Sequence, residues 1–340
     1  MGKPRLLAVV WYITRRCNLK CDFCYTNSDS SQPIGLHKKY LLSIVEQLNN
    51  SSVKHLSITG GEPFIRNELK DIITALNSDI SINIDTNGVF IPDKWEKIYD
   101  DRVNQVCIGI DGPPRLHDIH RAESTKVIEA IRFLQDRDVK IGAPVVITKD
   151  NFKHISEIVR YLISLGINTI SFNKAKPIGR GAKNTQLLLT EEEEKEVLLK
   201  IREVIREYSS NRYTFKFNGW YNTTFFDVLG EKYLPSCYCG YWRAAITPEG
   251  DFVPCSLLSL KEYLHLFKRK YKIPNLLKDD LNTSFAESKI FDEYRNATVK
   301  YLPENCANCK YKNRCNHGCR TIALVETGSL YGRDPVCKVN

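Results

Sequence analysis

"RRCNLKCDFCYT", residues 15–26, places three cysteines within eight positions, directly after the apolar run "LLAVVWYIT" at 6–14. Branched and aromatic residues crowd that run, so it reads as a buried β-strand. A disulfide framework needs paired cysteines, and a structural zinc site takes four protein ligands. Cys17, Cys21 and Cys24, spaced C-x3-C-x2-C, instead describe a metal site with one position left open. Ligands of parallel α/β sheets bind at the carboxyl ends of the strands. A loop that follows strand one lies at such an end.

Beyond this loop, short apolar runs alternate with helical patterns. Strands are expected at 6–14, 53–59, 80–86, 103–110, 139–148 and 167–173, with helices near 37–50, 67–77, 92–100, 125–137 and 152–165. Such alternation with short loops builds successive βαβ units on a parallel sheet. Six strands are too few for a closed eight-stranded barrel. The expected fold is therefore α/β, a partial (β/α)6 barrel over residues 1–230. A further helix is expected from Thr190 to about Tyr208, where Thr190 and Glu193 have capping-box spacing and Glu191–Glu194 suits a helix N-terminus. Periodicity then fades, and 231–340 reads as a second, cysteine-rich domain of short elements. Within it "RAAITPEGDFVPC", 243–255, has the pattern of a hairpin turning at Pro248-Glu249-Gly250.

The net charge of +9 suits an acidic partner or plain solubility. There is no Arg-rich, aromatic-spaced stripe, so no nucleic-acid partner is expected. The basic, apolar start mimics a signal peptide, but it lacks a small-residue cleavage site and runs straight into Arg15-Arg16-Cys17. No apolar stretch approaches the roughly 20 residues that span a bilayer, so no membrane association is expected. Twelve cysteines without a secretory signal argue for metal or redox chemistry in the cytoplasm. Three lie at 17–24, Cys107 stands alone, and eight fall between 237 and 337. Cys107, mid-strand in "QVCIGI", reads as a buried core thiol.

Further motifs follow the later strands. "TGGEPF" (59–64) follows the second, "DTNG" (85–88) the third, "IDGPPRLHDIHR" (110–121) the fourth and "PIGRG" (177–181) the sixth. With the C-x3-C-x2-C loop, this series resembles the radical S-adenosylmethionine (SAM) enzymes over nearly the whole chain. The resemblance implies a four-iron cluster on Cys17, Cys21 and Cys24, whose free iron chelates the amine and carboxylate of SAM. Gly60, Gly61, Glu62 and Pro63 match the family's GGEP motif, which holds the SAM amine. Glycines would let backbone carbonyls approach an ammonium, and Glu62 would add a countercharge. The resemblance also puts Asn87 and Asp111 near the ribose, Arg121 near the methionyl carboxylate, and "PIGRG" over the adenosine side. A Ser is frequent in the family two residues before that Asp, where this chain has Gly109. His117 and His120 read as structural.

The C-terminal cysteines form a series of their own. Cys239, Gly250 and Cys255 give C-x10-G-x4-C, and Cys306, Cys309, Cys315 and Cys319 give C-x2-C-x5-C-x3-C before Cys337. With Cys237 that makes eight thiolates, enough for two sites of four, and spacing alone fits zinc as well as iron–sulfur clusters. The series resembles the SPASM extension, which implies two auxiliary clusters and thus three [4Fe-4S] clusters per chain. By that resemblance one takes Cys237, Cys239, Cys255 and Cys319, the other Cys306, Cys309, Cys315 and Cys337.

The chemistry so implied is reductive cleavage of SAM to a 5′-deoxyadenosyl radical, with a flavodoxin or ferredoxin type reductant. SPASM enzymes mostly modify a peptide or small protein, by crosslink, thioether or oxidation. Strand one opens near residue 6, so leader recognition is expected from a separate leader-binding protein or from the SPASM surface. The alternative is an anaerobic dehydrogenase or decarboxylase of a small molecule such as an aminoglycoside or tetrapyrrole. A scaffold or electron carrier without turnover would not need the SAM-pocket motifs. Anaerobic sulfatase maturases carry an Asp directly after the G-x4-C cysteine, where this chain has Ser256.

Overall fold

Alternation decides which side of each strand meets the helices. Leu56, Ile58, Ile82, Ile84, Val106, Ile108, Val145, Ile147, Ile170 and Phe172 are all at most 1% exposed, and they occupy every second position of their strands. Burying such side chains contributes about 1.5–3 kcal/mol each, which fixes the register against a one-residue slip. The computed structural model describes residues 4–98, 100–208, 212–220, 223–230, 237, 239–300, 304–312, 315, 318–332, 334 and 337.

All six expected strands form: β1 Ala8–Tyr12, β2 His55–Thr59, β3 Ser81–Thr86, β4 Val103–Ile108, β5 Ile141–Ile147 and β6 Thr169–Lys174. Each lies parallel to the next. Between them run α1 Lys38–Asn49, α2 Leu69–Ala75, α3 Ile91–Ile98, the short α4 Pro114–His117, α5 Ser124–Gln135 and α6 Ile155–Ser164. Their apolar stripes, such as Leu41, Ile44, Val45 and Leu48 of α1, are buried. The helix expected after Thr190 is α7, Glu191–Glu207, and its capping box is complete. Glu193 N–H donates to Thr190 Oγ1 at 3.3 Å, and Thr190 N–H donates to Glu193 Oε2 at 2.7 Å.

The sheet has three further strands. β7, Thr214–Asn218, extends it beyond β6; β8, Arg243–Ile246, lies parallel beside β1; and β9, Phe252–Val253, turns back antiparallel on β8. Among the described residues the order is β7-β6-β5-β4-β3-β2-β1-β8-β9, an open sheet whose edges are β7 and β9. The expected hairpin at 243–255 is thus present, and its first strand also completes the barrel wall. The domain boundary expected between 230 and 231 abuts residues 231–236, which lie outside the described residues.

The other face of the strands is unlike the filled interior of a closed barrel, where branched side chains pack in layers. Ser57, Asn83, Asp85, Gln105, Cys107, Ser171 and Asn173 point there and are only half-buried. A polar, partly wetted inner face leaves room for a bound molecule. Among the described residues no helix is long and apolar enough to cross a membrane.

Candidate active site

The cysteine loop leaves the carboxyl end of β1 and folds back on itself. Cys17 N–H donates to Asp29 O at 3.0 Å, and Cys24 N–H donates to Cys21 O at 3.1 Å. The three thiols face one another closely enough for their charges to interact. Burial pushes the Cys17 thiol up to about 12, with the charges of Glu62, Cys21 and Cys24 adding to it against a bond from Leu19 N–H. Three thiolates so placed repel one another unless cations join them. That donor chemistry fits an iron–sulfur cluster. Each sulfur also has a supporting neighbour. Cys17 Sγ accepts from Leu19 N at 3.4 Å and from Asn87 Nδ2 at 3.6 Å, Cys24 Sγ lies 3.2 Å from Thr26 Oγ1, and the cation of Arg121 acts on Cys21.

The GGEP stretch packs directly against the entry to this loop. A Cβ on Gly61 would stand 2.3 Å from Arg16 O, and one on Gly60, whose φ is +152°, would stand 2.5 Å from Thr14 O. The missing side chains therefore admit the chain's own backbone. Gly61→Ala must displace Arg16 and the adjacent Cys17. We expect the purified variant to lose about four irons per chain relative to wild type, measured by iron assay after anaerobic loading.

Glu62 is wholly buried. Its Oε1 accepts from Phe64 N at 3.0 Å and Thr86 Oγ1 at 2.8 Å, and its Oε2 accepts from Asn87 N at 2.8 Å. The carboxylate thereby ties the loop after β2 to the loop after β3. Burial raises its pKa to about 7 despite those three donors. Pro63 opens the short 3-10 turn Pro63–Ile65 that Glu62 caps. Asn87, in turn, donates to Asn18 Oδ1 at 2.8 Å as well as to Cys17 Sγ.

Buried Asp111 and half-buried Arg121 form an ion pair, with Arg121 Nε 2.6 Å from Asp111 Oδ2 and Nη2 3.3 Å from Oδ1. Asp111 Oδ1 also accepts Val146 N–H at 2.7 Å. Burial opposes the Arg121 charge, yet Asp111 and Cys21 hold its pKa above the usual range. The guanidinium lies over the Phe23 ring, 4.9 Å from its centroid. A Cβ on residue 109 would stand 2.7 Å from Arg121 Nη1. Gly109 thus makes room for the arginine where a serine would crowd it.

His117 and His120 hold loops together. His117 Nδ1 accepts Asp111 N–H at 3.3 Å, and His120 lies between Asp22 and Asp150 at 3.1 and 2.9 Å. "PIGRG" sits against the cysteine loop itself. Arg180 Nε donates to Cys21 O at 2.7 Å and Nη2 to Ser28 O at 2.8 Å. Gly179, at φ +61°, leaves no room for a Cβ, which would stand 2.6 Å from Cys24 O.

The C-terminal cysteines fall into two neighbourhoods. The charges of Cys237 and Cys255 act on Cys239, and those of Cys255 and Cys237 act on Cys319. Tyr294, whose hydroxyl lies 2.8 Å from Thr321 Oγ1, adjoins all four. Cys315 interacts with Cys337 and Cys306, and Cys309 N–H donates to Cys306 O at 3.1 Å. Among the described residues no three His, Cys, Asp or Glu side chains converge on a single ion-sized point.

One feature of the inner face differs from its sequence reading. Cys107 lies mid-strand as expected, but Val106 and Ile108 take the helix-facing positions, so Cys107 points inward and away from the apolar core. It pairs in register with Asp85 on β3 and Gly142 on β5, and the charge of the Asp85 carboxylate acts on its thiol. The alternation "VCI" carries this signal, whereas the partner Asp85 is reached only across the β3–β4 register.

Comparison with known proteins agrees with this geometry. Residues 11–162 match the Radical SAM superfamily, and residues 237–310 match the SPASM iron-sulfur cluster-binding domain. PqqA peptide cyclase of Gluconobacter oxydans is 24% identical, over 96% of this chain and 89% of its own. AdoMet-dependent heme synthase of Oleidesulfovibrio alaskensis is 25% identical, over 99% of this chain and 88% of its own. SuiB of Streptococcus suis, solved with precursor peptide SuiA, shares the fold at a TM-score of 0.77 and 20% identity, over 98% of this chain and 76% of that one. So does anSMEcpe, solved with AdoMet and a peptide, at 0.77 and 20%, over 97% and 93%. The two domains imply four-iron clusters and SAM as cofactors. The chain belongs to the radical SAM superfamily, as an enzyme with a C-terminal SPASM domain.

Proposed function

We propose that this enzyme modifies a peptide or small protein by hydrogen abstraction, leaving a crosslink, a thioether or an oxidised side chain. When bound, the N-terminal cluster and SAM supply a 5′-deoxyadenosyl radical on one-electron reduction by a flavodoxin or ferredoxin type protein. The observation that carries the proposal is the polar, half-open inner face of the sheet beneath the cysteine loop. An extended chain can enter there from the open edge between β7 and β9. In this reading Cys17, Cys21 and Cys24 hold the first cluster, and the eight C-terminal cysteines hold two more. Gly60, Gly61, Glu62 and Pro63 shape the SAM amine end. Arg121, held by Asp111, directs its free donors to the SAM carboxylate, and Asn87 steadies Cys17. A separate leader-binding protein would present the peptide.

The test is label transfer. Perdeuterated peptides encoded beside this gene, incubated with loaded enzyme, SAM and reductant, should pass deuterium into 5′-deoxyadenosine. A second reading, oxidation or decarboxylation of a tetrapyrrole-like small molecule, is favoured by the likeness to the heme synthase over 99% of the chain. Label arriving only from such a molecule would replace the peptide assignment.

A further inference from the structure

The inner face carries charges that the SAM-site residues leave unused. Asp85 and Cys107 lie side by side on β3 and β4, and the Cys107 sulfur is 3.2 Å from where a Cβ of Gly142 would stand. Two cations reach this wall: Lys216 of β7 acts on Asp85 and Cys107, and Arg243 of β8 acts on Cys239 first and then on Tyr12, Asp85 and Cys237. Tyr25, 36% exposed, closes the same space through a 2.7 Å hydroxyl contact with Tyr12 and through the charge of Asp85. Groups from β1, β3, β4, β7, β8 and the cysteine loop therefore face one another.

Three other cations around the barrel are already engaged. Arg15 is paired with Glu249 at 2.7 Å, Arg121 with Asp111 at 2.6 Å and Lys174 with Glu194 at 2.6 Å. Lys216 and Arg243 form no ion pair and no side-chain hydrogen bond among the described residues, and both are exposed. Asp85 interacts with them without ion-pair contact. Lys216 and Arg243 lie opposite the carboxylate of Asp85, and the charges of Cys239 and Cys237 also act on Arg243. Low-dielectric walls strengthen such a field. Arg243 offers a planar fork suited to two carboxylate oxygens, and Lys216 offers a point charge from the opposite wall.

We propose that the inner face is a carboxylate-binding cradle, in which Arg243 and Lys216 hold an acidic group of the substrate against the wall formed by Asp85 and Cys107. This rests on the reading that the substrate enters the barrel, and it names the chemistry that the barrel selects. The carboxylate belongs either to an Asp or Glu side chain of a peptide or to a small polycarboxylate such as a tetrapyrrole.

The test measures binding to the anaerobically loaded, SAM-bound enzyme by fluorescence. The probes are a dansyl peptide rich in Glu, its Gln counterpart, and metal-free coproporphyrin. The Glu peptide should bind more tightly than the Gln peptide. Arg243→Gln and Lys216→Gln should each weaken it about tenfold or more, with Gln-peptide binding unchanged. Lys272→Gln, at an 88% exposed side chain, should change nothing. Arg243 adjoins Cys239 through a bridge between their strands, so should its variant fail to load iron, Lys216→Gln on the barrel side decides. Coproporphyrin binding that needs both cations, with no peptide binding, would uphold the cradle and overturn the peptide assignment. Peptide binding indifferent to both cations would overturn the cradle and leave that assignment standing. Binding of neither probe would also overturn the cradle.

Discussion

Alanine at Cys17, Cys21 and Cys24 together should lower the iron content of the loaded enzyme from about 12 to about eight per chain and abolish SAM cleavage. The two auxiliary neighbourhoods draw on other cysteines, so their iron should stay. The three thiols lie within one loop whose backbone is closed by Cys17 N to Asp29 O and braced by Arg180, so losing them need not unfold the barrel. Two measurements suffice: iron per chain, and 5′-deoxyadenosine formed after reduction with dithionite. Retained cleavage would place the SAM site elsewhere. Loss of all iron would show that the auxiliary clusters cannot assemble without the first.

Glu62→Ala should be the most damaging single substitution in the SAM region. It leaves Phe64 N, Thr86 Oγ1 and Asn87 N without their acceptor, and each buried unmet donor costs about 1–3 kcal/mol. A fall of several degrees in the thermal midpoint and weakened SAM binding are expected together. Glu62→Gln should fall between Ala and wild type, because it keeps one acceptor oxygen but turns an amide N–H toward Asn87 N–H. The carboxyl also predicts a pH dependence. Its pKa rises from the usual 4.5 to about 7 on folding, chiefly by burial, so between those values the folded chain keeps a proton that the unfolded chain has released. Its contribution is present in full below pH 4.5 and is lost as pH rises to 7, amounting to about 3 kcal/mol. Thermal midpoints of wild type and Glu62→Gln, compared at pH 5 and pH 8, should differ in slope by that contribution.

What sequence could and could not supply follows from the reach of each signal. The six barrel strands were legible because one face alternates Ile, Val and Leu against helices, a pattern contained within each strand. Thr190 and Glu193 were legible because a capping box spans four residues. β7 was missed because "TFKFN" lies at an edge with an exposed-intermediate alternation, so no apolar run marks it. The roles of Gly61, Gly109 and Gly179 were hidden because the atoms their Cβ would meet belong to Arg16, Arg121 and Cys24, distant in sequence. Cys107 was placed on the right strand but the wrong face, since its partner Asp85 is reached only through the β3–β4 register.

The parallel pairing of β8 with β1 makes the barrel and the cysteine-rich region a single mechanical unit. Ala8 to Trp11 align with Arg243 to Ile246, so the strand that leads into the first cysteine loop is hydrogen-bonded along one flank to the strand that follows Cys239. A chain cut after residue 230 would bare that flank of β1 as an unpaired edge, ready to add a foreign strand. The C-terminal region is therefore no detachable module.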